Sequence, residues 1–190
     1  MRRHLHLPSP VANAKDYLVA DLLETKLTLV FCGTAPSTAS AAAKSYYAKP
    51  GNKFWPTLHQ VGITPRRFAP HEFPQLLRLG IGLTDLCKVH SGVDSALPDD
   101  AFDLDAFRQK IEQFQPARIA FTSKHAAQSA LGHAVDYGRQ EDVWGATRFY
   151  VLTSPSGLAT RYFKLEIWAA LAHEFHAEIL RACPQIRHDA

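Results

Sequence analysis

The stretch LVFCGTAPSTASAAAKSYYAKPGNKFW, residues 29–55, decides how this chain is read. The apolar run from Leu27 to Cys32 that opens it has the composition of a strand buried on both faces. Gly33-Thr34-Ala35-Pro36-Ser37 ends the run, because glycine, proline and small hydroxyl residues force an exposed turn. A small-residue segment follows, then aromatics beside cations: Tyr46, Tyr47, Lys49, Pro50, Asn52, Lys53, Phe54 and Trp55. A strand, a tight polar loop and an aromatic–basic cluster build a pocket for a flat, polar, anionic ligand such as a nucleotide or an unstacked base.

Outward from this stretch, strands and helices alternate. Asp16 to Leu23 predicts a short helix leading into the first strand, with residues 1–10 a draped arm. Phe54, Trp55, Leu58 and Val61 recur at helical spacing and end at Gly62; Glu72 to Leu79 predicts a further helix stopping at Gly80. Ile81 to Leu86 is a second apolar run, interrupted by Asp85, and residues 91–102 read as loop. Leu104 to Phe114 is amphipathic and closes at Pro116. Arg118 to Phe121 and Phe149 to Leu152 are third and fourth strand candidates, with helices predicted over Lys124 to Leu131 and Tyr162 to Cys183. Three of the strands run into small polar loops. The pattern predicts one three-layer α/β/α domain around a mostly parallel sheet, with its site at the strands' carboxyl ends.

The composition narrows the function classes. At 190 residues the chain suits one well-cored domain, and 46% hydrophobic content with no charged or low-complexity tract excludes a linker or tail. A formal charge of +3 permits a polyanionic partner without demanding one. Cys32, Cys87 and Cys183 have no metal or disulfide spacing, and Cys32 and Cys87 sit in apolar runs as reduced, buried thiols would. MRRHLHLPSP lacks the apolar segment of a signal peptide, and no run reaches the ~20 residues of a membrane span. The expectation is a soluble, cytoplasmic protein with no metal and no cofactor.

Two loops stand out, GTAPS after the first strand and Thr153-Ser154-Pro155-Ser156-Gly157 after the last. Neither matches the glycine-rich dinucleotide or P-loop patterns, nor a nucleophile elbow. Taken with YYAKPGNKFW, GIGLTDLCK and RIAFTSK, their order and spacing are specific. Over roughly Leu27 to Arg161 the chain resembles the uracil-DNA glycosylase superfamily, most closely its mismatch-specific uracil/thymine branch, with features of the hypoxanthine branch.

The resemblance implies an enzyme that flips a damaged base out of DNA and hydrolyses its glycosidic bond, acting as a monomer. It implies a base pocket of Gly33, Thr34, Ala35, Pro36, Ser37, Tyr47, Phe54 and Ser154, with Phe54 as the stacking face unless it is simply core. Leu158 is placed as the wedge that fills the vacated stack, or else as a core leucine. Lys53, Ser123, Lys124, Pro155, Ser156, Gly157 and Arg161 are the candidates for DNA contact.

The departures are informative. Where relatives carry Asn or Asp to orient the attacking water, this chain has Ala35, whose side chain offers no hydrogen bond. Asp85, an acid in an apolar run, is the leading replacement as orienter of water and stabiliser of a cationic sugar; a capping or ion-pair role is the alternative. Asn52 is the second catalytic candidate, with a role as a loop pin equally open. Ser154 stands where the branch has Asn. Amides near Thr34, Ala35 and Ser37 are expected to stabilise charge on the departing base. An inactive lesion-binding protein of the same fold and an enzyme acting on free nucleotides are the competing expectations.

Overall fold

The computed structural model describes residues 16–182. Its five-stranded sheet comprises β1 (Leu29–Gly33), β2 (Ile81–Asp85), β3 (Arg118–Phe121), β4 (Gly138–Trp144) and β5 (Thr147–Val151), in the order β2-β1-β3-β5-β4. The β1–β2, β1–β3 and β3–β5 pairs are parallel, and only β4 runs antiparallel, against β5. The helices are α1 (Thr38–Ala43), α2 (Phe54–Gln60), α3 (Leu104–Phe114), α4 (Lys124–Leu131) and α5 (Leu165–Ala182). Among the described residues, 3₁₀ segments also run over Pro70–Leu79, Asp94–Ala96 and Gly157–Tyr162.

Why these residues form these layers follows from alternation along buried strands. Leu29 and Phe31 of β1 point into one core, shared with Leu83, Tyr150, and Phe54, Leu58, Trp168 and Phe175 from α2 and α5. Val30 and Cys32 point into the other, with Ile119, Phe121, Phe149, and Phe107, Ile111 and Ala127 from α3 and α4. The sheet is thus covered on both faces, as the apolar runs predicted. Cys32 and Cys87 are buried free thiols. Among the described residues no helix is long and apolar enough to cross a membrane.

Three expectations need correction. Residues 16–23 are not a helix: Leu22 makes an antiparallel bridge to Leu83, with its amide donating at 2.9 Å and its carbonyl accepting at 3.0 Å. Tertiary pairing overrides local propensity there, and Gly82 permits it, since a Cβ would lie 2.5 Å from the Leu22 carbonyl oxygen. β4 was not anticipated, because GRQEDVW is polar and only alternately half-buried, the composition of an edge strand. The terminal helix begins at Leu165 rather than Tyr162, after the 3₁₀ turn. The arm at residues 1–10 and Cys183 lie outside the described residues.

Candidate active site

β2 lies on one side of β1 and β3 on the other, so the chain leaves the sheet centre in opposite directions. At such a switch point the carboxyl ends of the strands open into a crevice. Here it is a cleft of about 870 Å³. Gly33 ends β1, Asp85 ends β2, Thr122 and Ser123 follow β3, and Ser154 follows β5, so four strands deliver their last residues to one place.

Asp85 forms part of the cleft and is 5% exposed. It sits against Gly33: a Cβ there would lie 2.3 Å from its Oδ1, so only glycine leaves room for the carboxyl. Burial pushes the Asp85 pKa up to about 7, with Asp21 adding to the rise and Lys88 and a backbone hydrogen bond from Gly33 opposing it. Asp85 therefore changes charge near neutrality. Asp21 is itself held below the usual range despite its burial, by Lys88 and Lys110, whose ammonium groups it pairs with.

Tyr47 stands beside this carboxyl in a left-handed backbone conformation, φ 52°. Its ring stacks on Phe54 with centroids 3.8 Å apart and 17° between planes, and its hydroxyl lies 3.3 Å from Thr122 Oγ1. This corrects the expected role of Phe54. Phe54 is fully buried, packed edge-on against Phe31 and Trp55, and does not reach the cleft. Tyr47 covers it and lines the cleft in its place, with Tyr46 and Tyr162.

The GTAPS loop forms the wall above. Ser37 caps α1 by accepting the Ser40 amide at 3.1 Å. The Ala35 and Ser37 amides have no acceptor among the described residues. Thr34 donates its hydroxyl to Asp94 at 2.6 Å, and the Gly92 amide donates to the Pro36 carbonyl at 3.0 Å, which docks the loop after β2 onto GTAPS. A second, exposed carboxylate therefore enters the cleft from a segment that had read as plain loop.

The rim is built from two loops in contact. The Lys53 amide donates to the Pro155 carbonyl at 2.8 Å, and a Cβ on Gly157 would lie 3.3 Å from the Gly51 carbonyl oxygen. Asn52 faces the cleft while its Oδ1 accepts the Phe54 amide at 2.9 Å, so it pins the start of α2 and keeps its side-chain NH₂ free of that bond. Ser156 holds the Leu158 amide at 3.3 Å. Leu158 is 71% exposed at the cleft edge, so it is not a core leucine.

Most of the expected residues meet in this cleft: Asp85, Asn52, the whole GTAPS loop, Tyr47, Ser123, Ser154, Pro155, Ser156 and Leu158. Phe54, Lys53, Lys124, Gly157 and Arg161 do not line it. Lys53 lies over the Phe163 ring at 4.8 Å, Lys124 pairs with Asp136 at 3.2 Å, and Arg161 covers Tyr162 at 4.5 Å. Thr122, Asp94, Tyr162 and Tyr46 line the cleft without having been singled out as site residues. The doublet YY had signalled the aromatic cluster and Thr122 opens the polar segment directly after β3, but no local pattern marks Asp94 as a cleft residue.

A switch-point cleft with a buried acid, a tyrosine stacked on the core and an exposed leucine on its rim defines an α/β protein with its site at the carboxyl ends of a parallel sheet. Residues 20–172 match the uracil DNA glycosylase superfamily. The chain belongs to that superfamily, whose members act on DNA. Its fold is similar to the solution NMR structure of a candidate uracil DNA glycosylase from Methanosarcina acetivorans, with a TM-score of 0.57 at 21% identity, covering 83% of this chain and 96% of that one.

Proposed function

We propose that this protein is a monofunctional DNA glycosylase that draws uracil, and other deaminated bases, into the cleft and hydrolyses the N-glycosidic bond to leave an abasic site. The observation that carries this reading is Asp85, an acid buried at the end of β2 beside the tyrosine on which a base can stack. Burying an ionisable group with no salt-bridge partner of its own is unfavourable, and such groups concentrate at sites that use them.

In the proposed reaction the base stacks on Tyr47 and Leu158 fills the space it leaves. The C1′–N bond breaks with its electron pair moving to the base, where the unpaired amides of the GTAPS loop offset the developing charge. Ionised Asp85 stabilises the cationic sugar and orients the water that adds to C1′; the water's proton leaves to solvent or to the departing base. Asn52, through its unbonded NH₂, is the second group able to hold that water or the base. This arrangement supplies from β2 what Ala35 cannot supply from the first loop. Uracil leaves more readily than cytosine or adenine, which favours deaminated bases.

Ala35 also favours a second reading, a lesion-binding protein that has lost the chemistry. Single-turnover assays on end-labelled oligonucleotides carrying one uracil, hypoxanthine or xanthine separate the two. The glycosylase reading expects alkali-labile abasic sites from at least the uracil strand. Tight, selective binding with no labile site overturns it in favour of the binder.

A further inference from the structure

The GTAPS loop leans on the segment that follows β2. The amides of Leu86, Cys87 and Gly92 donate to the carbonyls of Gly33, Thr34 and Pro36 at 3.0, 2.7 and 3.0 Å. No peptide bond among the described residues is cis, and in a trans unit the N–H points opposite to the C=O it is joined to. The bond that holds the Thr34 carbonyl on Cys87 therefore turns the Ala35 N–H away from that segment, on a residue that lines the cleft. With no acceptor among the described residues, this N–H takes its direction from whatever grips the loop behind it.

One side chain joins these main-chain ties. Asp94, exposed and lining the cleft, accepts the Thr34 hydroxyl at 2.6 Å through Oδ1. From Val89 to Asp100 every residue is half-buried or exposed, so no core side chain anchors the segment that carries it. Beyond Cys87, its hydrogen bonding to the first loop among the described residues comes down to the Gly92–Pro36 bond and to Asp94. A segment with so little buried opens locally at low cost, and a carboxylate acceptor makes the stronger kind of hydrogen bond. Asp94 is thus the side chain that keeps the first loop and its support together.

We propose that Asp94 is a positioning residue: through Thr34 it fixes the first loop so that the Ala35 amide meets the negative charge developing on the departing base. The inference rests on the glycosylase reading above and adds to it the part that holds the amide in place. A preset N–H helps most where most charge develops, so its loss is felt most by a base that leaves reluctantly. The role asks of Asp94 only an acceptor atom. An asparagine supplies the same acceptor, whereas an alanine does not.

The test measures single-turnover excision of uracil and of 5-fluorouracil, whose electron-withdrawing fluorine makes it the easier base to expel. Wild type is compared with Asp94→Ala, Asp94→Asn, Thr34→Val and the double variant Thr34→Val/Asp94→Ala. Asp94→Ala is expected to lose about tenfold on uracil and clearly less on 5-fluorouracil, with Asp94→Asn within about twofold of wild type on both. Thr34→Val removes the donor of the same bond and should match Asp94→Ala, and the double variant should be no slower than either single one. A partly unfolded enzyme loses both bases alike, so the ratio of the two rates carries the test. Unchanged excision by Asp94→Ala, or an equal loss on both bases, overturns the assignment and leaves the glycosylase reading standing. So does an Asp94→Asn variant as slow as Asp94→Ala, because the charge or proton of the acid would then be what matters. Losses that simply multiply in the double variant also overturn it. A wild type that releases neither base overturns the glycosylase reading and this inference with it.

Discussion

Asp85 and Gly33 are a matched pair: the carboxyl occupies the space that any side chain at residue 33 would need. The match places an acid where water hardly reaches, and the consequence for stability has a definite sign. The folded pKa is about 7 against an ordinary value of 3.8, so between those two pH values the folded state binds more protons than the unfolded state. Stability from this group is therefore fully present below about pH 4, declines as pH rises through that window, and is lowest above 7. Asp85→Asn removes the penalty. Its melting temperature should exceed that of wild type by about 3 °C or more at pH 8, with the gap closing toward pH 4. Thermal unfolding followed across pH checks this; an Asn variant less stable than wild type at pH 8 would mean the carboxylate holds the fold together rather than serving the cleft.

Among the elements, α5 is tied to the sheet by an ion-pair cluster rather than by apolar packing alone. Arg118, 3% exposed at the start of β3, pairs with Glu174 at 2.9 Å and Glu178 at 3.2 Å, and Arg139 of β4 shares Glu174 at 3.0 Å. Arg118→Ala leaves Glu178 without its arginine and Glu174 with Arg139 alone, and should destabilise the protein by about 3 kcal/mol, whereas Arg118→Met should lose clearly less by keeping the apolar stem packed. Denaturant unfolding of the two variants measures the difference, and equal losses would show that the charge alone matters. Elements of this kind also mark where sequence reading succeeds. α3 and α4 span the residues the sequence predicted, Leu104–Phe114 and Lys124–Leu131, where Asp103 and Ser123 turn out to cap them, and β1, β2 and β3 are visible as short apolar runs because both their faces are covered. β4 is invisible for the same physical reason: an edge strand with alternate residues in water needs no apolar run. The segment around Leu22 has helical spacing, yet the edge of β2 offers backbone partners that a helix would forgo.

Across the whole molecule, the site is assembled from chain segments more than a hundred residues apart, and this limited what could be read from the sequence. Asp85, Tyr47 and Leu158 could be named because each breaks a local expectation: an acid in a strand, aromatics beside cations, an apolar residue after a polar loop. Phe54 was misplaced because FW packs a core as readily as it stacks a base, and only the three-dimensional arrangement puts Tyr47 in front of it. Thr122 reaches the cleft from the end of β3, where the pattern placed the site, whereas Asp94 reaches it through a hydrogen bond to Thr34, a relation without a sequence signature. With a formal charge of +3 and few cations on the cleft itself, DNA affinity should fall only modestly with salt compared with strongly basic DNA-binding proteins. Base capture rather than backbone attraction then sets selectivity, and binding titrations between 50 and 200 mM salt, on the order of a doubling or two, test that balance.

In the proposed mechanism Asp85 acts from β2 in place of the group that Ala35 cannot provide. The most direct test is the single-turnover rate of uracil excision measured from pH 5 to pH 9 for wild type and Asp85→Asn. The wild-type rate should rise with the ionised fraction of Asp85 through about pH 7 and then level off. The Asn variant should be slower by about a hundredfold at the plateau, with that rise abolished. A wild-type rate indifferent to pH across this range, or an Asn variant as fast as wild type, would contradict it.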